Sequence, residues 1–370
     1  MIIRYLTEGD VVEHDKITSQ AFSYSCNIGD ESSVLPCEKV LGAFDDDNST
    51  LFADFEIIDK ECYYDGKILR CAAIGGVAAK PEHRGKGAVK ELFRYLFRET
   101  DHDISILYPF SEEYYRKFGY ERIGRCICAT VPFSVLTKVK RNSDAVLYEG
   151  RETERLLGVY NKCAQFYNLC FARNSAEAYS NKPYFSQQYT YIHKDNSYAT
   201  IRIDREKSTV FVQEIYFDSY DSMLGILGFL RNFESNQKKI SFQKLPWDTP
   251  LLSVFTELED CDIRVLSAGA ARILNAESVL KSHRYPAGKG SFTLRIGEEV
   301  FGVRYSEKGV VTEKDPSLSP EVITDVNTGS RILLSGLGAP GYEPGLVVND
   351  PDSDFFKAFP PKTTFFTDGF

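Results

Sequence analysis

Along the chain the spacing of apolar residues switches between a period of two and a period near 3.6, and the switches mark out elements. Residues 2–6 alternate as a short strand, and Thr7, Gly9 and Asp10 then supply turn and cap chemistry for a helix reaching about Phe22. Residues 41–45, 51–58 and 67–79 read as strands, separated by Asp-Asp-Asp-Asn-Ser and by a turn at Asp65-Gly66. Pro81 stops the last of them. Val89, Leu92, Phe93, Leu96 and Phe97 then fall on one stripe of a helix, followed by a short strand over 104–107 and a short helix in SEEYYRKFGY that ends at Gly119.

From about residue 131 the same order returns more faintly. Residues 151–163 read as a helix, 198–204 and 210–217 as a hairpin across Arg-Glu-Lys-Ser, and 218–233 as an amphipathic helix with Met223, Leu224, Leu227 and Leu230 inside. A strand over 239–243 closes the unit, which has no glycine-rich turn and reads as a degenerate duplicate of the first. From about residue 265 the character changes to meandering strands in SFTLRIGEEVFGVRYSEKGVV and a helix in RILLSGLG with a glycine stop. The aromatic end, with Phe365, Phe366 and Phe370, predicts a tail tucked against an apolar surface. The pattern gives an α+β chain in three parts, 1–130, 131–264 and 265–370.

Composition narrows the function classes. A chain of 370 residues with 43% hydrophobic and 26% charged side chains can fold as two or three domains, each with its own core. The formal charge of −9 argues against a nucleic-acid partner and suits a cationic small substrate. Nine cysteines, odd in number and without metal-ligand spacing, point to reduced thiols and no metal; Cys126 and Cys128 line one face of a strand. The first residues lack a secretion profile, and no apolar run reaches the ~18 residues of a membrane helix, so a cytoplasmic protein with no membrane span is expected.

The stretch KPEHRGKGAVKELFRYLF carries the chemistry. Lys86 is followed by Gly87, so no Walker loop is present, and no third glycine completes a dinucleotide fingerprint. What remains is Arg84-Gly85-Lys86-Gly87-Ala88 between a strand and a helix. Glycines there let backbone amides approach a pyrophosphate, and Arg84 and Lys86 add charge; the plainer alternative is a basic exposed loop. His83 reads as a loop histidine, Trp247 as packing, and Arg173 and Asn174 as either substrate-facing or structural residues.

GGVAAKPEHRGKGAVKELF together with YPFSEEYYRKFGYERIG resembles the GCN5-related N-acetyltransferase (GNAT) superfamily. The duplicated second part, the sterol-carrier-like third part and the aromatic end are similar, over the whole chain, to the enhanced intracellular survival type of acetyltransferase. The resemblance implies two tandem GNAT-like domains, the second unable to bind CoA, then a sterol-carrier-like domain. It implies acetyl-CoA as co-substrate, a primary amine or lysine as acceptor, and a homo-oligomer, a hexamer. Val77, Ala78 and Ala79 would bond pantetheine, and Arg84, Gly85, Lys86, Gly87, Ala88, Val89 and Lys90 would hold the pyrophosphate. Phe110 and Ser111 would touch the cofactor's other side. Tyr115 would protonate the departing thiolate, and the terminal carboxylate of Phe370 would take the proton of the attacking amine. A CoA-sensing or apolar-ligand-binding protein without catalysis, or transfer of another acyl group or to a hydroxyl, are the alternatives.

Overall fold

A computed structural model describes residues 1–22, 37–179, 188–194, 196–338 and 343–369. The chain opens with β1 (Ile2–Tyr5), α1 (Val11–Phe22), β2 (Val40–Phe44), β3 (Leu51–Tyr64), β4 (Lys67–Ala79), α2 (Ala88–Glu99), β5 (Ile104–Leu107), α3 (Glu112–Arg116) and β6 (Glu121–Arg122). These strands form a seven-stranded sheet in the order β1-β2-β3-β4-β5, then Ala270–Ile273, then β6. Ala88, Leu92, Phe93 and Leu96, the inner stripe of α2, are buried against one face. Asp10 starts the other helix by bonding the Thr7 amide and the Arg4 guanidinium (2.8 Å each), and α1 turns His14, Ile17 and Thr18 inward.

β7 (Arg125–Pro132) leaves the first sheet for a second. Its order is Asp262–Ser267, β7, Lys239–Pro246, Thr209–Phe217, Ser197–Asp204, Gln188–His193, Ala145–Leu147. The two sheets repeat one motif. In the first, the β3–β4 hairpin leads through α2 to β5, parallel to β4; in the second, the hairpin 197–217 leads through helix Tyr220–Leu230 to Lys239–Pro246, parallel to Thr209–Phe217. A five-stranded sheet, ordered Gly309–Lys314, Glu299–Ser306, Gly290–Ile296, Val322–Thr324, Leu346–Val348, completes the mixed α+β architecture. Its helix Val326–Ser335 starts ahead of RILLSGLG because Asp325 accepts from the Thr328 amide, and it stops at Gly336 with φ +83°.

Two features differ from the sequence pattern. β3 runs to Tyr64 rather than stopping at Ile58, because Cys62 and Tyr64 alternate inward past the charged Asp59, Lys60 and Glu61. There they join a core shared with Phe292, Leu294 and Phe355 of the third sheet's unit. The second difference is Ala270–Ile273, which pairs antiparallel with β5 and β6 although more than 140 residues separate them in sequence. The tail follows its prediction at Phe365 and Phe366, which are 3% and 1% exposed; Phe370 lies outside the described residues. Phe365 N–H donates to the Asn168 carbonyl (2.9 Å), and Asn168 N–H to that of Thr363 (3.0 Å), so the tail is laced to the segment after helix Thr153–Ala164.

Candidate active site

β4 is bent where the site begins. Ala78 faces Asp54 and Gly75 faces Glu56, so β4 carries one extra residue, and Gly76 absorbs it with φ +63°. The parallel ladder between β4 and β5 ends at Ile74 and Leu107. Beyond it Val77–Ala79 diverges from β5, whose continuation Tyr108-Pro109 lacks one ladder donor at the proline. The strands therefore open as a cleft with polar backbone along one wall.

At the cleft's mouth Pro81–His83 forms a single 3-10 turn, and the chain passes through Gly85 and Gly87 at φ +80° and +83°. Side chains at either position would be strained, yet a Cβ would meet no atom within 4 Å. Open space lies in front of both. Gly87 caps α2 without any side-chain bond, so the first amides of a 12-residue helix stay available to an anion.

The corresponding helix of the second sheet is closed. There Ser219 is the N-cap, its hydroxyl accepts from the Ser222 amide (3.1 Å), and the Ser222 hydroxyl accepts from the Ser219 amide (2.9 Å). The side chains occupy the groups that a phosphate would need.

One cavity of about 740 Å³ collects most of the residues singled out in the sequence: Val77, Ala78, Ala79, Arg84, Gly85, Gly87, Ala88, Val89, Lys90 and Phe110. Lys86 and Ser111 stand outside its lining. The Lys86 ammonium lies 2.9 Å from His83 Nδ1 and over the Phe52 ring, while Ser111 accepts from the Tyr114 amide (3.3 Å) as the N-cap of α3. The lining also includes Ala21, Phe22, His83, Tyr114 and Phe118. Sequence reasoning missed the first two because nothing local says that the end of α1 reaches the mouth of β4.

Tyr115 stands directly behind this wall. Its residue surface is 3% exposed, and its ring meets Phe110 at 5.4 Å, Tyr114 at 5.2 Å and Phe93 at 6.1 Å, each edge-on. Burial, and after it the neighbouring Tyr114, raise the phenol's pKa above its ordinary value. The group thus stays protonated across neutral pH.

The tail arrives from the β5 side. Tyr108 Oη donates to the Asp368 carbonyl (3.0 Å), receives a bond from Lys244 Nζ (2.9 Å), and its ring lies 5.2 Å from that of Phe366. The Asp368 carboxylate accepts from Arg173 Nε (3.0 Å), and the remaining guanidinium nitrogens of Arg173 grip Glu214 (3.0 and 2.9 Å). Arg173 is therefore an ion-pairing residue of the second sheet's unit. Neither carboxylate is a free base. Among the described residues no group of three or more His, Cys, Asp and Glu side chains is placed to hold a metal, and no helix is long and apolar enough to cross a membrane.

Residues 2–123 match the acetyltransferase (GNAT) domain family. The chain is similar in fold to a GCN5-related N-acetyltransferase from Anabaena variabilis (19% identity, TM-score 0.85, all of both chains). It is similar as well to a protein of unknown function, a probable N-acyltransferase, from Enterococcus faecalis (17%, 0.86, all of this chain and 99% of that one), and to Eis1 from Mycobacterium abscessus (16%, 0.81, all of both chains). None of the curated proteins matches.

Proposed function

We propose, for a chain whose residues 2–123 belong to the acetyltransferase (GNAT) family, direct transfer of an acetyl group from acetyl-CoA to a primary amine. The acceptor is a cationic small molecule of the aminoglycoside or polyamine kind, or a lysine side chain. The observation that carries this reading is the continuity of one cavity from the open start of α2, at Gly85 and Gly87, to the bent edge Val77–Ala79.

In this reading the amides from Gly85 to Lys90, with Arg84 and Lys86 beside them, hold the pyrophosphate. Val77, Ala78 and Ala79 bond the pantetheine and aim the acetyl carbonyl, and Phe110 and Ser111 close the other side. Tyr115 hands its proton to the thiolate; burial keeps the phenol protonated until then, and because it also makes the phenol a weaker acid, the same dry site has to strengthen the thiolate as a base for the transfer to run. The terminal carboxylate of Phe370 takes the proton of the amine. An ordinary chain-end carboxylate, near pKa ~3.5, is a weak base in water. A dry site would strengthen it, and the buried Phe366, against Tyr108, and Phe365, against Tyr167, a few residues earlier in the tail, support that reading.

Residues 1–130 are then the cofactor domain, 131–264 the degenerate second GNAT-like domain that walls the cleft, and 265–370 the sterol-carrier-like part that delivers the chain end. We place the protein in the cytoplasm as a homo-oligomer, a hexamer by resemblance. The net charge of −9 favours a cationic acceptor.

The decisive experiment is the thermal midpoint with and without acetyl-CoA at about 100 times its dissociation constant, where a ligand of the folded state adds ~2.7 kcal/mol. A rise, followed by thiol release on adding amines, supports the reading. An unmoved midpoint in a folded protein ends it.

A further inference from the structure

The second sheet's unit holds a charged cluster that the reaction as proposed does not use. Arg173 and Glu214 are 9% and 8% exposed. Arg173 gives Nη1 and Nη2 to the two oxygens of Glu214, a further Nη1 bond to Tyr179 Oη (2.7 Å), and Nε to Asp368 Oδ1 (3.0 Å). Its guanidinium lies 3.8 Å over the Tyr160 ring, and Tyr160 Oη reaches Asp368 Oδ2 (3.3 Å). Tyr198 Oη donates to Glu214 Oε1 (2.8 Å), and Thr367 Oγ1 to Glu214 Oε2 (3.2 Å).

Three bonds of this cluster end on the tail: those of Arg173 and Tyr160 on Asp368, and that of Thr367 on Glu214. Residue 367 is bonded through its hydroxyl, and residue 368 through both carboxylate oxygens. The backbone carbonyl of Asp368 is held from the opposite side by Tyr108, which directly follows β5 and stands two residues before Phe110 in the cofactor cavity. Asp368 thus joins the second sheet's unit to the end of β5 in the first. The last residue is two positions on, within ~7 Å of chain.

We propose that Arg173, through Asp368, and Glu214, through Thr367, clamp the tail, and are positioning residues that fix where the chain end stands against the acetyl donor. This rests on the reading that the carboxylate of Phe370 is the base. Burying an arginine between two carboxylates is costly unless all its donors are satisfied, and here Nε, Nη1 and Nη2 all find acceptors. A clamp made of directed, charge-assisted bonds holds a chain segment in one place, which a purely apolar contact does not. It also gives the second unit, whose helix start is closed by Ser219, a task unrelated to CoA.

The test is steady-state kinetics of Asp368→Asn, Arg173→Lys and their combination, alongside hydrogen exchange of the segment 363–369. We expect kcat to fall about 10- to 100-fold, as for a misplaced catalytic group, with the KM for acetyl-CoA and the midpoint rise on adding it unchanged. The double variant should lose no more than about the worse single one, and exchange of the tail amides should speed up. Should Arg173→Lys fail to fold, Asp368→Asn, which keeps an oxygen facing Nε, carries the test. Unchanged kcat and tail exchange would overturn the clamp, as would a higher KM for the amine with kcat intact. A variant extended by Gly-Ser after Phe370 separates the two readings. If extension abolishes turnover while Asp368→Asn and Arg173→Lys retain it, the base stands and the clamp falls. If extension changes nothing, the chain-end base falls first and the clamp loses its catalytic purpose.

Discussion

Gly87 and Ser219 stand at the same place in two sheets, each beginning the helix that carries the chain between parallel strands, and they leave opposite ends: Gly87 open, Ser219 closed by its own hydroxyl. Gly87→Asp should make the first end hostile to an anion. The left-handed backbone there does not reproduce the extended cap of Ser219, but the carboxylate would repel a pyrophosphate. We expect the KM for acetyl-CoA to rise about tenfold or more, a loss of ~1.4 kcal/mol or more, and the stabilisation by acetyl-CoA to shrink accordingly. An unchanged KM would mean that this helix start does not carry the anion.

Tyr115→Phe should leave the fold intact, because the ring's edge contacts with Phe110, Tyr114 and Phe93 survive the loss of one oxygen. Its kcat should fall about 10²- to 10⁴-fold with little change in either KM. Tyr114 lines the cavity and sits one residue away, so Tyr114→Phe is the control. If Tyr114→Phe is the variant that loses turnover, the acid has been assigned one residue too late.

Phe93 is the hub of the aromatic wall, with Phe118 at 4.7 Å, Phe55 at 5.0 Å and Tyr120 at 5.6 Å, and its side chain is fully buried. Removing it leaves a cavity that these rings cannot fill without tilting. Phe93→Ala should lower unfolding stability by about 3–5 kcal/mol in denaturant titration, and Phe93→Leu by less. Turnover of the leucine variant should drop more than its stability suggests, since Tyr115 leans on the same ring.

Stability should depend on pH through His283. The imidazole is buried, with Nε2 bonded to the Ala358 carbonyl (2.8 Å) and Nδ1 facing the Lys362 ammonium (2.8 Å). Burial holds its pKa below 6.5; the bond to Asp65 works against this, and the charge on Lys362 adds to it. The unfolded chain takes up this proton near 6.5 and the folded chain does not, so the contribution is complete above that value and is lost as pH falls below it. The thermal midpoint should therefore decline as pH falls below about 6.5. His283→Phe should flatten that slope while lowering stability at neutral pH by about 1–3 kcal/mol, because the Ala358 carbonyl loses its donor. An equal slope in both proteins would assign the titration to other groups.

The sequence was most legible where structure is local. The strand Lys67–Ala79 ends where Pro81 and the glycines dictate, and the stripe from Val89 to Phe97 specifies α2 because one face of a helix must be apolar to pack. Ten of the twelve proposed cofactor contacts line one cavity, and nine of them for the same reason: they follow one another through a strand end, a turn and a helix start, while Phe110 comes from beyond β5. Legibility failed with sequence distance. Asp59, Lys60 and Glu61 look like the end of a strand until Cys62 and Tyr64 find a core made by residues past 290. Arg173 gave no sign of which carboxylates it would meet, since Glu214 and Asp368 are 41 and 195 residues away. Charge partners leave no periodic trace.

The strand Ala270–Ile273 has a consequence for how the protein is made. It lies between β5 and β6, so the sheet that carries the cleft stays split until almost three quarters of the chain has left the ribosome. Until then β5 presents a bare edge directly beside the future active site. The nascent first sheet is thus exposed to mispairing for the whole time that the strands of the second are being synthesised. A gene fragment that stops after β6 would encode the glycine loop and Tyr115, but it would leave that edge permanently uncovered.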